Sequence, residues 1–434
     1  MKQPGLSFGR MVLSSNYKPL SPETLGQRLG GLEVMKKGVG GNAGAWTVRE
    51  VGDGNLNLVF IVEGDAGSVI VKQALPYVRL VGDSWPLPLK RAFFEYHALI
   101  RQEARDPGSV PEVLHFDEEQ ALIIMERLQP HIILRQQTME GRKVAGLGKS
   151  LGLFAARTAF RGSDLSMTAG DKKADVAMFA GNVELCDITE SLVFTDPYYD
   201  AEMNRHTTPQ LDGIVADLRR DEALKVEVQH MKRAFTSRGE TMCHGDLHAG
   251  SIMVTDTQSR IIDPEFAFYG PFGFDIGMLI GNYLMAYHAM PAHISDPEAC
   301  RDFQTWILEV IEETWSAFCA EFHRLWHTER TGILYPRALY EDQGHNFASE
   351  SAVQQLLGEI FRDLVGFAGI EMHRRILGLA HVAELDTIED EDFKARCEAK
   401  CLKLGQFLVM SRNKLTGMDA VLAAARQAET GVQA

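Results

Sequence analysis

The stretch His244-Gly245-Asp246-Leu247-His248-Ala249-Gly250-Ser251 is followed by the apolar run Ile252-Met253-Val254 and then by Ile261-Ile262-Asp263-Pro264-Glu265. Together these decide how the chain reads. Two acid-bearing loops face each other across a hairpin, each beside a buried apolar strand, where an unpaired carboxylate is costly. Acids placed there need a partner or a task. Phosphoryl transfer needs this arrangement: one carboxylate accepts the proton of an attacking hydroxyl, and others hold Mg²⁺ against a triphosphate. Asp246 is the predicted base, and Asp263 and Glu265 are the predicted metal ligands. Gly245 and Gly250 argue against a helix that would aim His244 and His248 at one zinc ion, and the glutamate of an H-E-x-x-H motif is missing. His244 is expected instead to hydrogen-bond backbone.

Further toward the N-terminus, Trp46 to Val51, Leu58 to Glu63 and Ser68 to Gln73 read as short strands of an antiparallel meander. The turn Gly52-Asp53-Gly54-Asn55-Leu56-Asn57 has the glycines and asparagines that let backbone approach a ligand. Lys72 ends the strand Val-Ile-Val-Lys, the position from which a kinase lysine reaches α- and β-phosphates, and Glu95 on the following helix, Lys90 to Gln102, is its expected partner. Ala121 to Met125 reads as a buried strand leading into Glu126-Arg127-Leu128. Gly146-Leu147-Gly148-Lys149-Ser150 ends like a P-loop, but Lys143 stands where the first glycine belongs and no strand precedes it. A solvated helix start is expected there.

From about Gly141 onward the apolar spacing is mostly helical, interrupted by a strand-and-loop region at Met242 to Gly277. Phe303 to Ala425 reads as several amphipathic helices, with the first twenty or so residues and the tail after Ala425 loosely ordered. A chain of 434 residues is long enough for two lobes. The fold class is thus α+β and bilobal: residues 1–128 form an antiparallel-sheet lobe with a hinge near 125–128. Residues 129–434 form a mainly helical lobe with the catalytic loop, metal site and substrate site.

The formal net charge of −15 and the lack of a basic stripe exclude a nucleic-acid footprint. Met1 to Ser15 carries only scattered apolar residues and no later run reaches membrane-spanning length, so a cytoplasmic protein without membrane association is expected. The six cysteines show no metal spacing and are expected to be reduced.

His244 to Ser251, followed by Asp263-Pro264-Glu265-Phe266-Ala267-Phe268-Tyr269-Gly270-Pro271-Phe272-Gly273-Phe274-Asp275, resembles the methylthioribose kinases, relatives of the aminoglycoside and choline phosphotransferases. Asp-x-Glu in place of the protein-kinase Asp-Phe-Gly is specific to them. Val81-Gly82-Asp83-Ser84-Trp85-Pro86-Leu87, Glu184 to Glu190 and Arg374 to His381 agree as well, and the likeness spans roughly residues 45 to 410. It implies a protein-kinase-like fold, ATP and Mg²⁺ as cofactors, a sugar substrate phosphorylated at its anomeric hydroxyl, a place in methionine salvage, and a homodimer. Residue by residue it implies ATP contacts at Asn57, Lys72, Glu126, Arg127, Leu128, Asp263, Pro264 and Glu265. It also implies substrate contacts at Asp246, Arg374 and Arg375, with Glu95, His244 and Ser251 in support.

Trp85 is a candidate wall for the thiomethyl group, since sulfur packs well on aromatic rings. Arg127 stands where the family usually has Asp, and Ala249 where it usually has Thr. Neighbours on a helix point about 100° apart, so only one of Arg374 and Arg375 is expected to face the substrate while the other pairs with an acid. The rival readings are a choline-, homoserine- or aminoglycoside-type phosphotransferase and a catalytically inactive kinase-like module. A cationic substrate favours an acidic, aromatic pocket, whereas paired arginines favour an uncharged polyol. An inactive module typically loses the lysine, the base or a metal ligand, and all of these are present.

Overall fold

The computed structural model describes residues 16–51, 56–78 and 82–431. The Met1 to Ser15 leader reading, the Gly52–Asn55 turn, Val81 and the last three residues of the tail lie outside the described residues. The chain divides into two compact units. One comprises residues up to Gln129 together with Asp263–Phe266, and the other comprises Pro130–Ile262 and Ala267 onward.

The first unit is built on a five-stranded antiparallel sheet in the order Thr47–Glu50, Asn57–Glu63, Ser68–Ala74, Leu122–Glu126, Val113–Asp117. In its centre Val59, Lys72 and Ile123 lie side by side across three strands. Because side chains alternate between faces, Val69 and Val71 point one way and Lys72 the other. The valine face packs with Phe60, Val62 and Ile124 under Leu25, Leu29 and Met35, which come from helices Pro22–Leu29 and Glu33–Gly38. The first of these has a capping box between Ser21 and Thr24, with Pro22 just inside its start. Ala92 of helix Arg91–Arg105 packs against Ala74 and Ala121. The edge strand Val113–Asp117 was not expected from the sequence, having no clean alternation.

The second unit is organised around helix Phe274–His293, buried along nearly its whole length. Such a helix must be apolar all round, and Ile276-Gly277-Met278-Leu279-Ile280-Gly281 is. It packs with helices Pro297–Thr328, Asn346–Leu377 and Glu391–Ser411. Gly277 lets the second of these approach so closely that an added Cβ would sit 2.7 Å from Leu364 O. The P-loop lookalike begins helix Leu147–Arg161, where Gly148 is likewise a packing contact: a Cβ there would lie 2.6 Å from Val310 O. Gly146, Lys149 and Ser150 of that start are solvated, while Leu147 and Gly148 are buried.

The Met242 to Gly277 region resolves into strand pairs, Thr241–Cys243 with Phe268–Gly270 and Ile252–Val254 with Ser259–Ile261. The tail is more ordered than expected, because helix Met418–Thr430 runs past Ala425. All six thiols are free, and among the described residues no helix is long and apolar enough to cross a membrane.

Candidate active site

In the second unit, the loop His244–Ser251 is held from below by Asp275, at the start of helix Phe274–His293. One Asp275 oxygen accepts from the His244 N–H at 2.6 Å and the other from the Gly245 N–H at 3.0 Å. His244 Nε2 lies 2.9 Å from Ile262 O, and its Nδ1 accepts the Asp246 N–H at 3.3 Å. Gly245 turns with φ +91°, open to glycine at little steric cost. Ser251 Oγ donates to Asp246 O at 3.0 Å and receives the His248 N–H at 2.9 Å. His248 Nδ1 accepts the Gly250 N–H at 2.8 Å, so its proton is assigned to Nε2, which sits 3.2 Å from Asp246 Oδ2. His248 is therefore a neutral donor: burial pushes its pKa down, against the pull of Asp246.

The other Asp246 oxygen, Oδ1, meets Arg374 Nη1 at 3.2 Å and Arg375 Nη2 at 3.1 Å. The two adjacent arginines thus converge on the same acid. Their Cα–Cβ vectors diverge, but the long side chains curl back along the helix and converge. Both also bind Glu371, one turn earlier on the same helix, with Arg375 Nε at 2.6 Å and Arg374 Nη1 at 3.1 Å. Asn282 Nδ2 donates to Glu371 Oε1 at 3.0 Å, and Arg135 Nη2 donates to Asn282 Oδ1 at 3.0 Å. Burial would raise the Asp246 pKa, but His248, Arg374 and Arg375 overcome it and hold the carboxyl well below its usual range.

In the first unit, Lys72 Nζ lies 2.7 Å from Glu95 Oε1 and also pairs with Asp263. Glu265 accepts from Asn57 Nδ2 at 3.2 Å and from Arg91 Nε at 3.1 Å. Arg91, fully buried, reaches on to Asn57 Oδ1 at 3.2 Å and to the carbonyl of Leu75 at 2.6 Å. Burial alone would lower the Lys72 pKa, and the charges of Asp263, Glu95 and Glu265 reverse that and raise it. Burial raises both Glu95 and Glu265. Asp263 sits at φ +69°, a left-handed conformation a non-glycine residue adopts at some cost. Glu95, Asp263 and Glu265 each present an oxygen within 4.8 Å of the others, an all-oxygen set that fits a hard cation such as Mg²⁺.

Residues 47–299 match the phosphotransferase enzyme family (APH). The chain is 44% identical to the methylthioribose kinase of Escherichia coli O45:K1, over 95% of this chain and 99% of that protein. The chain belongs to the methylthioribose kinases. It is also 40% identical to methylthioribose kinase 1 of Oryza sativa subsp. japonica, over 94% of each chain. With the Yersinia pseudotuberculosis serotype IB enzyme it shares 41% identity over 89% of this chain and 92% of that one.

The departures from this family's usual pattern have local surroundings. Arg127 pairs with Glu63, at the far end of strand Asn57–Glu63, so its charge is tied to the sheet. Glu126 ends strand Leu122–Glu126, where its Oε2 accepts the Glu112 N–H at 3.2 Å, and Leu128 is buried. Ala249 is buried in a short 3₁₀ turn after His248. Pro264 lies between the two acids in Asp263–Phe266, a segment that goes with the first unit although sequence order had placed the metal site in the second lobe. Trp85 is half-buried on the short strand Gly82–Pro86.

Sequence reading missed Arg91, Glu371 and Asn282. Glu371 carried a usable signal, since an acid three and four positions before two arginines on a helix faces both. Arg91 carried none, because Lys90-Arg91 at a helix start looks like a solvated end.

Proposed function

We propose that the chain transfers the γ-phosphate of ATP to the anomeric C1 hydroxyl of 5-methylthioribose, giving 5-methylthioribose 1-phosphate and ADP in methionine salvage. The observation that carries this reading is the state of Asp246. An ionised carboxylate offers about four lone-pair sites. Arg374 and Arg375 take two on Oδ1, and His248 takes one on Oδ2. One site on Oδ2 remains, and a sugar hydroxyl fits it.

The hydroxyl oxygen attacks the γ-phosphorus as the bond to the β–γ bridging oxygen breaks, and its proton passes to Asp246 Oδ2. A carboxyl held this far down is a weak base. That suits a loose transition state, in which the nucleophile need not be deprotonated early and the carboxylate's first service is to orient it. Arg374 and Arg375 fix the carboxylate and lend positive charge beside the acceptor. Lys72, positioned by Glu95, would hold the α- and β-phosphates, with Asn57 beside it and Glu126 to Leu128 along the adenine. Asp263 and Glu265 would hold Mg²⁺, which would supply positive charge to neutralise the triphosphate. Paired arginines favour an uncharged polyol over the cationic substrates of choline- or aminoglycoside-type enzymes.

A phosphorylation assay against pentoses, thiosugars and amino alcohols tests the reading. Methylthioribose should be preferred over ribose by roughly 10–200-fold in kcat/KM per lost apolar group of methylene size. Trp85→Ala should narrow that gap by weakening methylthioribose selectively. Equal kcat/KM for the two sugars would sink the substrate assignment, and turnover of choline alone would replace it with the rival reading.

A further inference from the structure

A group of ligating side chains lies outside both clusters, where helix Pro297–Thr328 ends and helix Asn346–Leu377 begins. His323 and His327 are four residues apart, so both imidazoles leave the same helix face. Their ring centroids are 4.7 Å apart. Glu350, near the start of the second helix, reaches both: its two oxygens lie 3.0 and 2.9 Å from His323 Nε2, and Oε2 lies 3.5 Å from His327 Nε2. Gln354 Nε2 donates to Glu350 Oε1 at 3.0 Å, the kind of contact that orients a ligating carboxylate. All three side chains are partly open to solvent, at 37%, 43% and 43% exposure, which leaves an entry path.

We propose that His323, His327 and Glu350 form a binding site for Zn²⁺, with water as fourth ligand, that clips the two helices together. One ligand atom from each residue lies within 4.8 Å of the others. A tetrahedral ion with bonds of about 2.0–2.1 Å sets its ligand atoms roughly 3.3–3.4 Å apart. The two distances to Glu350 Oε2, 2.9 and 3.5 Å, bracket that spacing. Two imidazoles and one carboxylate suit a borderline transition-metal ion, whereas the oxygen-only set of Glu95, Asp263 and Glu265 suits Mg²⁺. The chemistry of the two sites keeps their ions apart. The site also ties the ends of the connection 329–345, which carries the exposed Ile333, Leu334 and Leu339. Holding those ends restricts the freedom of the loop between them.

The test uses the full chain stripped with EDTA and titrated calorimetrically with Zn²⁺ in millimolar Mg²⁺. One equivalent of Zn²⁺ should bind, Co²⁺ should give the visible absorption of a tetrahedral ion, and proteolysis between residues 331 and 345 should slow. The His323→Ala/His327→Ala double variant should lose that equivalent and the protection, while Glu350→Gln should weaken binding by at least about tenfold. Zn²⁺ binding of unchanged stoichiometry and affinity in the double variant overturns the site, as does competitive displacement by Mg²⁺. Should the double variant fail to fold, Glu350→Gln, which keeps both imidazoles, decides: parent-like affinity there overturns the proposal.

Discussion

Each unit holds a cluster of acids and bases, and the two are balanced differently. In the first, Glu95, Asp263 and Glu265 meet Lys72 and Arg91, and burial pushes Glu95 and Glu265 up. In the second, Asp246 and Glu371 face Arg374 and Arg375, and Asp246 is pushed down. Carboxylates whose charged form burial disfavours are relieved by a bound cation. Matched charge keeps one carboxylate ionised at any working pH. The first cluster is suited to receiving a metal and the second to presenting a hydrogen-bond acceptor.

The sharpest way to break this contrast is Asp246→Asn, which keeps size while removing the proposed proton acceptor. We expect kcat to fall by about 10²–10⁴-fold with the affinity for Mg-ATP retained. A variant that keeps most of its turnover would falsify the role of Asp246. Next comes Glu371→Ala, which leaves two buried guanidinium groups with Asp246 as their shared ion-pair partner. Breaking a buried pair in this way costs about 3–5 kcal/mol, to be read from urea unfolding, and a loss under about 1 kcal/mol would mean that water takes the place of Glu371.

Acid should weaken the second unit through His373, on the same helix. Burial lowers its pKa from 6.5 to about 4 while its Nε2 sits 3.0 Å from Leu402 O. The unfolded chain binds a proton below pH 6.5 that the folded chain refuses until about pH 4. Stability should therefore fall as pH drops through that window, by up to about 3 kcal/mol. His373→Gln should flatten the slope, and an unchanged slope would move the cause elsewhere. The smallest effect is on the metal side: Glu265→Gln should raise the Mg²⁺ concentration needed for half-maximal rate by about tenfold, because a hard cation prefers carboxylate oxygen. Identical Mg²⁺ curves would remove Glu265 from the ligand set.

Much of this was legible because short motifs report local backbone. Val-Ile-Val-Lys ending in Lys72 and the loop of His244 to Ser251 read as a strand and a turn wherever they occur. The capped helix start at Ser21-Pro22-Glu23-Thr24 is just as local a motif, yet it went unread. What stayed hidden depends on contacts distant in sequence. Nothing near Arg91 tells that Glu265 will lie 3.1 Å away, and nothing near Asn282 points to Glu371. The convergence of Arg374 and Arg375 on one acid was hidden too, because Cα directions do not fix where a side chain as long as arginine ends.

The first unit is not one length of chain. Its sheet, helices and buried cations come before residue 130, but two of its three clustered acids arrive on the four-residue segment Asp263–Phe266. A gene cut after Gln129 would encode a fragment in which the wholly enclosed Arg91 has lost Glu265. Recombination between relatives meets the same obstacle: to inherit this unit intact from one parent and the rest from another, it must cross over at 129/130, 262/263 and 266/267 together. A single exchange anywhere between Lys72 and Asp263 pairs one parent's lysine with the other's acids. The two halves are therefore expected to descend as one piece, with residues 57, 72, 91, 263 and 265 changing in step.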